Sequence, residues 1–354
     1  MNAPPARIGL LLFQLGGPDR LDQVEPFLRR LFSDPDLLPV PGGPWIQGPL
    51  ARLIARARSA KVRGYYSRIG GGSPLRQWTE RQAALLAAEL ERRVAAAGSS
   101  AAIQVAVAMR YAPPFTEDAL DHLRAADSLL ALTLFPQYSI ATTGSSLKEL
   151  ARVRRERRDE RPLVAIDRWF DAPDYWAALA ARIRAAVAQL PAAFRAESLI
   201  LWSAHGLPQR IVDRGDPYVS EIEATVAGTM AALGDLELPH RLSFQSRTGP
   251  IRWTGPATEE VIREEAAQGR RGMVVVPVSF VSDHIETLYE IDLLYGEEAR
   301  RLGIQSFIRV DSFNDGADLT AVLARLAEER LRSAGWVGSA ETSATTGAKT
   351  SAER

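Results

Sequence analysis

No cysteine occurs in the 354 residues. The chain therefore has no disulfide, no thiolate zinc site and no cysteine-ligated iron–sulfur cluster. Any metal it handles must meet histidine, carboxylate or other oxygen donors. Nor is there an excess of charge. The 43 basic and 43 acidic residues cancel, which argues against nucleic acid as a partner. No apolar run approaches the roughly 18 residues that span a bilayer. Near the N-terminus, Arg7 and the apolar run 8–13 lead straight into a Gly16-Gly17-Pro18 turn. That run is too short for a secretory signal and lacks a small-residue cleavage site, so a cytoplasmic protein is expected. Nucleotide signatures are also missing. No G-x-G-x-x-G follows Phe13, and Gly70-Gly71-Gly72 is not followed by Gly-Lys-Ser/Thr. Ser73-Pro74 instead suits a helix N-cap and a proline in the first turn.

What is present is a soluble globular composition, 46% hydrophobic and 24% charged, long enough for two domains. Short apolar runs predict strands at 8–14, 103–109, 129–135 and 163–166, and again at 199–204, 241–244, 273–277 and 306–310. Helical periodicity lies between them at 19–31, 74–97, 117–125 and 146–158, with a last helix at 317–333. This alternation predicts parallel sheets with right-handed crossovers. Each half opens on an apolar strand ending in a glycine–proline turn, as in a pseudo-repeat. The expected division is residues 7–170 and 171–335, with a boundary near Asp171–Pro191. A tail over 336–354, small and polar from Gly338, is expected to be disordered. The stretch 39–48 (PVPGGPWIQG) carries Val40, Trp45 and Ile46 among prolines and glycines. It predicts an irregular apolar loop, either a packed excursion or a ligand or membrane contact. The Arg-rich 152–161 reads as a solvated helix face.

Four histidines are available. His122 lies in a charged helical stretch and His240 just before a strand, and neither suggests chemistry. His205 differs, because it ends an apolar strand in Ser203-Ala204-His205-Gly206-Leu207-Pro208. About eighty residues later a second apolar strand ends in Ser282-Asp283-His284-Ile285-Glu286-Thr287-Leu288-Tyr289-Glu290. Open α/β sheets bind ligands at such carboxyl ends. Ser282 or Asp283 could cap the helix that follows, and Asp283, Glu286 and Glu290 would share one of its faces. A solvated acidic face is the plain alternative. Imidazole with carboxylate suits Fe²⁺, Zn²⁺, Co²⁺ or Mn²⁺, and clustered carboxylates share protons.

The chain resembles the ferrochelatases, which insert Fe²⁺ into a porphyrin. The resemblance covers about residues 8–333. It rests on Leu15-Gly16-Gly17-Pro18, Tyr66-Ser67-Arg68-Ile69-Gly70-Gly71-Gly72-Ser73-Pro74 and Arg110-Tyr111. Further matches are Pro136-Gln137-Tyr138-Ser139, Thr142-Thr143-Gly144-Ser145-Ser146, Phe244-Gln245-Ser246 and the two histidine segments. It implies two Rossmann-like domains, each a parallel sheet flanked by helices, with a porphyrin cleft between them. It implies His205 facing the ring and Glu286 as its acidic partner across the macrocycle, the two also meeting the metal. His284, Glu290 and Asp283 would support Glu286. Leu15, Arg58, Tyr66, Ser73, Arg110 and Trp253 would contact porphyrin, and residues 39–58 would form an apolar lip over the cleft that touches the membrane surface.

The resemblance implies no resident cofactor, Fe²⁺ being a substrate. Relatives with an iron–sulfur cluster carry a cysteine where this chain has Ile140, so a cluster-free member is expected. The run 142–146 and the lip resemble the branch that uses protoporphyrin rather than coproporphyrin III. The rival readings are another tetrapyrrole chelatase, which would need more basic residues in its cleft, and a haem or metal carrier, which would need no carboxylates opposite His205.

Overall fold

The computed structural model describes residues 5–37, 43–249 and 251–338. Val40 and the tail from residue 339 lie outside the described residues. The first half contains β1 (Arg7–Gln14), α1 (Val24–Ser33), α2 (Pro44–Ser67), α3 (Leu75–Ala96), β2 (Ala102–Met109), α4 (Thr116–His122), β3 (Ser128–Thr133), α5 (Ser145–Arg157) and β4 (Leu163–Ile166). The second contains α6 (Pro173–Ala188), β5 (Ser198–His205), α7 (Gln209–Val212), α8 (Tyr218–Leu233), β6 (His240–Gln245), α9 (Thr258–Ala267) and β7 (Gly272–Val276). A π-helix (Glu286–Tyr295), α10 (Gly296–Arg301), β8 (Ser306–Arg309) and α11 (Ala317–Ser333) complete it.

The expected repeat is present in the topology. Both sheets are four-stranded and all parallel, ordered β2-β1-β3-β4 and β6-β5-β7-β8. The central strands read as unbroken apolar runs because helices cover both faces. In this order the chain winds away from β1, and from β5, in both directions. The ligand crevice of such a sheet lies beyond the carboxyl ends of its first and third strands. In the second sheet those ends belong to β5 and β7.

The two halves share a core, and two expectations are corrected. α11 packs on α3, with Leu319, Val322, Leu323 and Leu331 in one hydrophobic core with Leu86, Leu90 and Val94. That core extends to Val337, which is buried, so the ordered chain runs past 335. The second correction concerns the lip. Trp45 and Ile46 lie in the first turn of α2, not in an irregular loop. Pro44 is the first residue of that helix, where its missing N–H costs nothing. Pro49 forfeits one bond a turn later, and the helix continues to Ser67. Its buried stripe is Gln47, Ala51, Ala55 and Ser59, mostly small side chains four apart that let it lie close on α1.

Candidate active site

His205 is the last residue of β5. Its N–H donates to Ser279 Oγ at 3.0 Å, and Tyr218 Oη lies 2.6 Å from the same hydroxyl. The turn after β7 is thereby tied to the end of β5. Phe280 stands edge-on to two imidazoles, with ring centroids 6.1 Å from His205 and 4.4 Å from His284. Glycine follows His205 because β6 is close. The Gly206 N–H donates to Gln245 O at 2.8 Å, and a Cβ there would stand 2.8 Å from that oxygen.

Opposite lies the π-helix, a bonding pattern often found at functional sites. Ser282 and Asp283 do not cap it as expected. The Ser282 hydroxyl accepts from Gln82 Nε2 at 2.8 Å. Asp283 accepts from Thr287 Oγ1, Ser312 Oγ and Asn314 Nδ2 and pairs with Arg309. Its oxygens are fully engaged. His284 Nδ1 lies 2.9 Å from Ser282 O. A carbonyl only accepts, so the proton is on Nδ1 and Nε2 is turned to Glu286 Oε2, 3.0 Å away. Glu286 Oε2 is buried, and its close polar neighbour is His284 Nε2 in this ion pair. Glu290 is well supplied: Gln245 Nε2 at 3.0 Å, Ser246 N at 2.9 Å, the Ser246 hydroxyl, and Tyr295 Oη at 3.2 Å.

These surroundings divide the protons unequally. Enclosure lowers the pKa of His205 from its usual 6.5, against the pull of Glu286, so its ring is neutral at neutral pH. Burial also acts to lower His284, but the Glu286 charge overcomes it and leaves His284 above the ordinary value. Burial would raise Glu286, yet the charge of His284 and then that of His205 bring it down to about 2. Glu290 is raised by burial, with the Glu286 charge adding to the rise. The site thus holds a neutral base, an anchored anion and a carboxyl inclined to keep its proton. No three His, Asp or Glu side chains among the described residues converge as a ready metal-ligand group. His205 and Glu286 are a pair that a bound metal would have to complete from elsewhere.

The family model for ferrochelatase matches residues 7–331. The chain belongs to the ferrochelatase family. The ferrochelatase of Geotalea uraniireducens is 45% identical over 93% of this chain and 99% of its own. That of Thermosynechococcus vestitus is 44% identical over 92% and 83%. The solved structure of SirB from Bacillus subtilis with Fe³⁺ superposes at a TM-score of 0.52 and 11% identity. It covers 94% of this chain and 98% of that one, a likeness of fold.

The remaining residues that the ferrochelatase resemblance singled out fall into two groups. Tyr66 is buried, and burial together with the Glu286 charge holds its hydroxyl well above its ordinary pKa. Leu15 joins Tyr66 and Ile285 in one apolar cluster that closes the first half against the π-helix. Ser73 is pinned by its N–H to Pro18 O at 2.7 Å. Trp253 lies beside the His205 turn, its backbone bridged to Pro208 and its Nε1 donating to Thr248 O at 3.1 Å. Arg110 and Arg58 are elsewhere occupied. The Arg110 guanidinium donates to Asp34 at 2.8 Å and Ser145 at 2.7 Å, beside a cleft of about 450 Å³ shared with Arg30 and Phe115. Arg58 lies 5.8 Å from the Phe32 ring. No hydrogen bond or ion pair among the described residues joins either to His205 or Glu286. His122 and His240 are exposed, as expected of bystanders.

Sequence reasoning gave no role to Gln245, Ser246, Ser279, Phe280 or Tyr295. One signal was available. Gln245 ends the strand beside β5, in register with His205, so whatever follows β6 must flank the histidine turn.

Proposed function

We propose that this chain inserts Fe²⁺ into protoporphyrin IX, giving protohaem and releasing two protons, the last step of haem biosynthesis. The observation that carries the reading is the pairing of a neutral, enclosed His205 with an anionic Glu286 whose buried carboxylate is held 3.0 Å from His284 Nε2. A free-base porphyrin must lose two inner N–H protons before a metal can lie in its plane. His205 accepts a pyrrole proton, a role worth typically 10²–10⁴ in rate. Glu286 draws the dication and helps strip its water. Glu290 passes protons on between Glu286 and Ser246. Bending the ring costs about 1–5 kcal/mol, supplied by contacts of the macrocycle remote from the reacting nitrogens. No resident cofactor is needed, and without cysteine a thiolate-held cluster has no ligands. An anaerobic assay with Fe²⁺ and protoporphyrin IX, run beside coproporphyrin III and a precorrin analogue, tests this reading. Faster turnover of coproporphyrin III or of the precorrin analogue would replace it.

The pH dependence has a definite sign. Protonated His205 cannot accept a proton, so kcat/KM rises with pH through the histidine's own pKa. Because enclosure lowers that pKa, the acid limb should have its midpoint below 6.5. A midpoint above 6.5 would count against a neutral, enclosed base.

The lip is proposed to rest on a membrane surface. Trp45 is 90% exposed, Leu53 67% and Ile46 50%, and Arg52 and Arg56 stand on the same turns. No acidic residue occurs between Asp36 and Glu80. Aromatic and basic side chains together suit the interface of an anionic bilayer. No described helix is long and apolar enough to cross a membrane. Replacing Trp45, Ile46 and Leu53 together by Ser should cut association with anionic liposomes at least tenfold, since each side chain gains about 1.5–3 kcal/mol on burial. The thermal midpoint should hold, because these side chains are already in water. A large fall in the midpoint with liposome association unchanged would make them part of the core.

A further inference from the structure

Arg309 ends β8 and is almost buried, with its side chain 12% exposed. Its Nε and Nη2 donate to the two oxygens of Asp292 at 2.8 and 3.1 Å, and its Nη1 stands 3.0 Å from Asp283 Oδ1. Asp292 lies within the π-helix, and Asp283 lies just ahead of its first turn. One guanidinium on the sheet therefore grips the segment bearing His284, Glu286 and Glu290 on both sides of Glu286. None of the proposed chemistry uses it.

A π-helix has poorer bonding than an α-helix and persists only where its surroundings hold it. Here the difference matters. Tyr295 reaches Glu290 five residues earlier, whereas residues five apart on an α-helix point about 140° away from each other. Reversion to α-helical bonding would turn Glu290 away from Ser246 and move Glu286 from its place against His284. A lysine could not replace the grip, because a point charge lacks the planar fork that binds one carboxylate bidentately and reaches a second.

We propose that Arg309 is a positioning residue for Glu286: by bridging Asp283 and Asp292 it fixes the register of the π-helix that aims this carboxylate toward His205. The inference rests on the chelatase reading of the same site. It predicts loss of turnover without loss of porphyrin.

The test uses R309K and D292N, which remove the fork and one of its partners without leaving an arginine wholly unpaired. R325M serves as a control, because it breaks the distant Arg325–Asp174 pair, 2.6 Å long, on the surface of α11. Dissociation constants for protoporphyrin IX come from quenching of protein fluorescence, and kcat from anaerobic Fe²⁺ insertion. R309K and D292N should bind porphyrin within twofold of the parent yet turn over at least tenfold more slowly. The double variant should be no slower than the worse single one, since both break one bridge. R325M should keep parental kcat even if its thermal midpoint falls. Turnover within twofold of the parent in both variants overturns the proposal. So does a parallel loss of porphyrin binding, or an equal loss of kcat in R325M, either of which marks a general structural defect. A parent protein that fails to metallate protoporphyrin IX, coproporphyrin III or the precorrin analogue overturns the chelatase reading instead.

Discussion

Replacing His205 with Ala should lower Fe²⁺ insertion by about 10²–10⁴, the range that a positioned general base contributes. The loss should fall on kcat, because the ring is held by apolar contacts elsewhere in the cleft. The fold should survive. The backbone N–H of residue 205 keeps its bond to Ser279, and the strand behind it, Leu199–Ala204, stays packed between β6 and β7. The truncated side chain is half-buried at a strand end, not in the core. The acid limb of the pH profile should disappear with it. A variant that metallates porphyrin at near-parental rate, with its pH profile intact, would remove His205 from the chemistry.

Glu286→Gln should be nearly as damaging. Burial would raise this carboxyl, and the pairing with His284 holds it anionic. A unit-charge pair about 4 Å apart at an effective dielectric of about 20 is worth about 4 kcal/mol, on the order of a thousandfold. The amide keeps the shape and loses the charge. No stranded ion results, because burial acts to lower His284 and Glu286 is the largest influence raising it, so His284 can shed its proton when Glu286 becomes neutral. The thermal midpoint and porphyrin affinity should therefore change little. Glu260→Gln is the matched control. Glu260 is 52% exposed and accepts the Ala257 N–H at 2.9 Å, which a glutamine oxygen can do as well. Equal, small losses in both variants would make the acidic segment an ordinary polar surface.

Much of the architecture was legible in the residues alone. Leu163–Ile166 and Ala317–Ser333 occupy the spans their periodicity indicates, and the other strands are displaced by a residue or two at their ends. A parallel sheet buried on both faces requires continuous apolar runs, and few other structures produce them. His205 was legible for the same reason. A polar residue that closes such a run, followed by glycine and proline, has to lie at the sheet's carboxyl edge.

The lip was misread because proline and glycine were counted without position. Pro44 at the start of a helix is permissive, although the same residue a few turns later would be a breaker. The division into halves was legible as a repeat but not as a packing. α11 has apolar residues on its inner face, yet only the assembled molecule shows that they meet Leu86 and Leu90 of the first half.

The sequence by itself determined the two parallel sheets, the crevice at their carboxyl ends, and the identities of the histidines and carboxylates placed there. These follow from local periodicity and from residue chemistry, which act over a few neighbouring positions. The tertiary structure alone decided how those groups share their protons and where each one points. Asp283 is saturated by Arg309, Ser312, Thr287 and Asn314, Glu290 is held by Gln245 and Ser246, and Glu286 is paired with His284. Three acids of like appearance acquire three different states because charge and hydrogen bonding act through space, between segments that the chain brings together only on folding.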